Sequence, residues 1–195
     1  MSIPSLTRLK LYAYGENIGG LPIFSADGIA QIGDPTASDA IMKTPMCVRI
    51  DSGNRKEPSR WIADVDGDKV SPADVVGFVV DGILSATSVL ALGNSDAFSQ
   101  TSSSIKGDQY CKPVVFTAMA MVGSQSGILT DVWYLYGSFV LLNVPGAAFY
   151  AQPTGKEGLY NLMWSTSKMA SLNSIPITIK TTAPVTGSAQ MITGA

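Results

Sequence analysis

The carboxylates of Asp64, Asp66 and Asp68, set at alternate positions in Asp64-Val65-Asp66-Gly67-Asp68, are the most concentrated group of hard oxygen donors in the sequence. Such a run could gather around calcium, as the first positions of an EF-hand loop do. The rest of that pattern is missing. Lys69 stands where the hand needs glycine, and Val75 stands where it needs the bidentate glutamate. A solvated Asp/Gly turn between strands accounts for the same residues, so no metal or other cofactor is expected.

Other catalytic chemistry finds little material. Histidine is absent, which removes the commonest general base and the commonest zinc ligand together. Ser165-Thr166-Ser167-Lys168, Ser171-Leu172-Asn173 and Lys180-Thr181-Thr182 formally approach the S-x-x-K, S-x-N and K-T-G motifs of β-lactamases. All three fall in one short stretch, whereas those enzymes assemble them from distant parts of a larger domain. Gly123-Ser124-Gln125-Ser126-Gly127 places glutamine where a nucleophile elbow needs serine. An enzyme is not expected.

The elements that would position any site are organised around Val114 to Ala151, whose one charged residue is Asp131. Val132 to Ala151 is uncharged and about as long as the ~20 residues of a membrane-spanning helix. Gly137, Ser138, Asn143, Pro145 and Gly146 interrupt it, and no Lys/Arg cluster flanks it, so a membrane is excluded as partner. Its aromatic and β-branched residues predict a strand over Val132 to Leu142, a turn at Asn143 to Gly146 and a return strand over Ala147 to Gln152. In a single strand, Trp133, Leu135, Phe139 and Leu141 share one face, and Val132, Tyr134, Tyr136, Val140 and Leu142 share the other. Both faces are apolar. The second must therefore lie under another sheet or another protein, with Tyr134, Tyr136 and Phe149 as the expected contact residues.

Elsewhere, strands are predicted over Leu6 to Tyr14, within Pro22 to Ala30, over Met46 to Asp51 and from Trp61 to Ala63. Gly15 to Gly20, Asp34 to Asp39 and Ser52 to Arg60 carry the turn formers of loops. Val75 to Val80, Asp81-Gly82 and Ile83 to Leu92 form a strand, turn, strand pattern. Gly93 to Asp108 is the most polar stretch, and its Ser95 to Lys106 portion could act as a contact arm. No run has the spacing of an amphipathic helix. The expected fold is an all-β antiparallel barrel or sandwich with long loops and at most one or two short helices. It forms a single domain over residues 1–195, and a division into lobes 1–93 and 109–195 would fall at the polar loop 94–108.

Charged residues make up 14% of the 195 residues, against roughly 25% in an average soluble domain. So neutral a surface suits a protein that assembles. With 15 acids against 13 bases the net charge is -2, which offers no footprint for nucleic acid. Cys47 and Cys111 read as buried thiols, with a single bridge as the alternative. Met1 to Arg8 lacks the features of a signal peptide, which predicts synthesis in the cytoplasm.

Trp61-Ile62-Ala63-Asp64, Asp66-Gly67-Asp68-Lys69-Val70 and Pro72-Ala73-Asp74-Val75-Val76-Gly77-Phe78-Val79 follow one another in a cadence that recurs in a known family. With Gly146-Ala147-Ala148-Phe149-Tyr150-Ala151 and Thr154-Gly155, they resemble the capsid decoration (cement) proteins of tailed bacteriophages. That resemblance implies a small β-barrel or β-tulip seated on capsomer junctions. The expectation is a non-enzymatic virion protein, made in the host cytoplasm, that stabilises the capsid by contacts with its own copies and with the major capsid protein. A tail tube subunit is the close variant, and a soluble calcium- or ligand-binding β module is the alternative of another class.

Overall fold

Alternating side chains cut by two-residue turns build antiparallel hairpins, because each such turn returns the chain beside itself. In the computed structural model, which describes residues 8–50, 58–59, 61–65, 78–80, 83–85, 88–92, 111–118, 129–166 and 173–185, this is the whole architecture. The strands are β1 (Tyr12–Gly15), β2 (Ile18–Ala26), β3 (Ile29–Ile32), β4 (Lys43–Ile50), β5 (Trp61–Val65), β6 (Phe78–Val80) and β7 (Ile83–Ser85). They continue with β8 (Ser88–Leu92), β9 (Lys112–Ala118), β10 (Trp133–Tyr136), β11 (Phe139–Leu142), β12 (Ala148–Pro153), β13 (Tyr160–Ser165) and β14 (Ile175–Lys180). One 3-10 turn, Pro35–Ala37, is the sole helical element among the described residues. Asp34 caps it by accepting a 2.8 Å hydrogen bond from the Thr36 amide.

The main sheet closes on itself. Following the pairings from β1 through β2, β4, β5, β8, β9, β13, β12 and β14 returns to β1, every step antiparallel, with β3 bonded to β2, β9 and β13. The all-β expectation is thus met, and strands from both sides of residues 94–108 pair in this sheet. Two further strands of the main sheet are not on this closed path: β10 and β11 form a hairpin joined to it through β14, and their inward side chains reach the same core. A separate two-stranded sheet, β6 with β7, matches the hairpin expected around Asp81-Gly82.

Several expected boundaries are corrected. Pro22 to Ala30 is not one short strand, since Asp27 and Gly28 take φ of 50° and 87° and form a type I′ turn between β2 and β3. The Gly15 to Gly20 loop shrinks to the tight turn between β1 and β2, with Asn17 at φ 58°. Val132 to Leu142 is likewise two strands, because Gly137 at φ 60° opens a type II′ turn with Ser138. Ile83 to Leu92 divides into β7 and β8, which belong to different sheets. The turn at Asn143 to Gly146 is present, yet the return strand β12 does not pair with β11; β14 lies between them.

Inside the ring, Trp133 packs between Trp61, with centroids 5.9 Å apart, and Phe149, stacked at 6.0 Å with 13° between planes. Val48, Phe116, Leu162 and Ile179 complete a single large cluster around them. Burying such side chains stabilises a fold by about 1.5–3 kcal/mol each, before conformational entropy is counted. Cys47 and Cys111 are both buried, and no disulfide joins them.

Candidate interaction surface

Side chains of residues paired across an antiparallel ladder lie on the same face of the sheet, so register identifies the surface presented outside the ring. Ala13 pairs with Ile179 and Leu135 with Val140, and all four are buried. Their neighbours, one residue along each strand, therefore point outward. Tyr12 pairs with Lys180, Tyr14 with Thr178, Phe139 with Lys180, Tyr136 with Phe139, and Tyr134 with Leu141. The adjacent strands β1, β14, β11 and β10 thus share one outer face that carries five aromatic rings, a leucine, a threonine and one lysine.

The two-residue turn explains how an apolar segment came to face water. Across Gly137-Ser138 the inward set changes parity, so the buried side of the hairpin is Trp133, Leu135, Val140 and part of Leu142. Tyr136 is 74% exposed, Phe139 40% and Leu141 36%, with Tyr134 half-buried beside them. Contiguous apolar exposure of this kind marks a contact surface more often than chance placement.

The face is held firmly. Lys180 Nζ sits 4.8 Å from the centroid of the Phe139 ring and 5.0 Å from that of Tyr14. One cation thereby ties β11 to β1 across β14, and its charge is spread over two ring faces. The Tyr14 hydroxyl donates to the Thr182 carbonyl at 2.7 Å, and the Thr181 amide donates to the Ser138 carbonyl at 2.9 Å, fixing the hairpin turn to the end of β14. At the other side, Ser59 exchanges two backbone hydrogen bonds with Trp133, of 2.9 and 3.3 Å. Beyond that bridge β10 is the last strand of the sheet, an edge with a short ladder.

Of the contact residues expected from sequence, Tyr134 and Tyr136 lie on this face. Phe149 does not: it is 6% exposed, stacked on Trp133 in the core, because β12 turns that side chain into the ring. Asp64 sits in β5 opposite Cys47, while Asp66, Asp68 and the Ser95 to Lys106 arm lie outside the described residues. Ser165 is buried in β13 and Lys180 lies on the outer face; Lys168 and Ser171 lie outside the described residues. No helix among the described residues is long and apolar enough to cross a membrane, and Val132 to Ala151 holds strands instead.

A second surface was not foreseen. Gln31 pairs with Asn161 and Asn161 with Gln152, which sets three amide side chains in a row across β3, β13 and β12. They line a cleft of about 450 Å3 under the β2–β3 turn, the Ser38 to Ala40 segment and the β12–β13 turn. Gln31 Nε2 donates to Asn161 Oδ1 at 3.0 Å, and Ser38 Oγ donates to Gln31 Oε1 at 2.8 Å. Lys156 closes one side, bonded to the Ala37 carbonyl at 3.0 Å and paired with Asp39. The sequence signal was present but scattered: single amides interrupt the otherwise apolar segments of three strands far apart in the chain.

Comparison with protein-family models, with curated proteins and with solved structures returns no match, so what this chain does must be argued from the two surfaces themselves.

Proposed function

We propose that this chain is a non-enzymatic structural protein that works by assembling with its own copies through the outer face of β1, β14, β11 and β10. The observation that supports the reading is the exposed side of the β10–β11 hairpin, where Tyr136, Phe139 and Leu141 meet solvent although Trp133, Leu135 and Val140 on the opposite side are buried. Aromatic residues around a single shielded cation are the composition of an interface core, from which most charged residues are excluded. At ~25 cal/mol per Å2 of apolar area, an interface of standard size offsets the cost of association. The low charge of the chain, 14%, fits the same use.

Within that class, the particle is a tailed-bacteriophage virion, and the role is that of a head decoration protein that cements capsid subunits. This finer assignment rests on the resemblance of Trp61 to Val79 and Gly146 to Gly155 to such proteins. A tail tube subunit is the variant that uses the same physics. Electron microscopy of the purified protein, alone and mixed with undecorated phage shells, separates the outcomes. Saturable decoration of shells supports the cement role, tubes or rings formed by the protein alone support the tail role, and dispersed particles that bind no shell contradict both.

A further inference from the structure

We infer that the cleft floored by Gln31, Asn161 and Gln152 binds a neutral saccharide. The proposal stands apart from the assembly reading, since the cleft lies on β3, β13 and β12 and shares no residue with the aromatic face.

Charge comes first. Lys156 is paired with Asp39, and the Asp27 carboxylate is taken up by the amides of Ile41 and Met42, at 3.0 and 2.8 Å. The cleft therefore holds no free cation to select an anion, and its one carboxylate without a cationic partner, Asp27, is already engaged by two amides. Its floor is a different matter. Asn161 is largely buried and lines the cleft, its Oδ1 accepts from Gln31, and its amide N–H groups have no protein partner among the described residues and remain open to solvent. Gln31 is fixed at both ends, by Ser38 and by Asn161, and retains its second N–H. Gln152 adds an amide with no partner among the described residues, offering donor and acceptor together.

A hydroxyl group both donates and accepts, and a saccharide presents several hydroxyls at once; a row of amides beside a carboxylate meets that requirement on both counts. The remaining wall is aliphatic, from Ile29, Pro153 and Leu159, and suits the C–H face of a pyranose ring. At about 450 Å3 the cleft lies within the roughly 300–1,000 Å3 of small-molecule sites.

Saturation-transfer difference NMR on the whole chain tests this, because it tolerates an assembled sample. The probes are glucose, galactose and mannose, with glycerol and N-acetylglycine methylamide as controls. At least one hexose is expected to give a saturable signal that exceeds that of glycerol. Gln152→Ala, at the half-buried end of the row, should weaken that binding about three- to tenfold, the equivalent of one hydrogen bond. Tyr136→Ser should leave it unchanged, which separates this site from the assembly face. Absence of a saturable signal from all three hexoses, a response matched by glycerol, a response to the amide control alone, or binding indifferent to Gln152→Ala would each overturn the proposal.

Discussion

The two sides of the β10–β11 hairpin are nearly equal in hydrophobicity and opposite in fate. Inward, Trp133, Leu135 and Val140 are sealed within the ring against Trp61 and Phe149. Outward, Tyr134, Tyr136, Phe139 and Leu141 form an apolar surface with Lys180 gripped at its margin. The difference teaches that composition alone does not decide burial: a two-residue turn sets which side chains go to the core and leaves the rest for a neighbour. The same hairpin thus holds the fold with one side and presents the other for contacts.

Substitutions on the two sides should therefore separate stability from assembly. The largest effect is expected from Trp133→Ala, which empties the centre of the aromatic stack and should cost about 3–5 kcal/mol in urea unfolding. A loss below 1 kcal/mol would show that the stack does not hold the ring. Next is Gly137→Val. Nothing lies within 4 Å of a Cβ added there, so the cost expected is chiefly that of the positive-φ backbone, on the order of 1–2 kcal/mol. An unchanged unfolding midpoint would mean the turn has another geometry.

Lys180→Met keeps the aliphatic stem but removes the cation from between Tyr14 and Phe139, and should cost roughly 0.5–1 kcal/mol. Tyr136→Ser should change stability by less than about 0.5 kcal/mol, as for most exposed positions, so any loss of assembly it causes is not a folding defect. The smallest effect concerns Asp34, whose carboxyl is held below its ordinary value of 3.8 by the hydrogen bonds it accepts from Thr36. A carboxyl depressed in the folded state contributes stability that is present above its unfolded value and fades as pH falls through its folded one. Unfolding midpoints measured from pH 6 down to pH 3 should show a slightly shallower acid slope for Asp34→Asn than for the parent chain.

Much of the fold was legible where the signals are local. Asn143 to Gly146 is a turn, Val80 and Ile83 face each other across a hairpin, and Met46, Cys47 and Val48 enter the core from a strand. What stayed hidden is non-local or parity-dependent. Phe139-Val140-Leu141-Leu142 continues the apolar character of Trp133 to Tyr136, so no change of polarity announced the turn at Gly137, although Gly-Ser is a known II′ pair. That β14 comes between β11 and β12 depends on the closure of the ring, which no short segment encodes. Phe149 and Tyr136 are both strand aromatics, and only the register of β12 against β13 and β14 sends the first inward. The amides Gln31, Gln152 and Asn161 each interrupt an apolar strand, but only the sheet pairing makes them a row.

The central claim, that the outward side of the hairpin is a contact surface between copies, is tested most directly by light scattering coupled to size-exclusion chromatography. The parent chain and the double variant Tyr136→Ser, Phe139→Ser should be run across a hundredfold range of concentration. A multimeric parent and a monomeric variant with a nearly unchanged unfolding midpoint is the predicted result. A parent that stays monomeric throughout, or a variant that keeps the parent's mass, would contradict it.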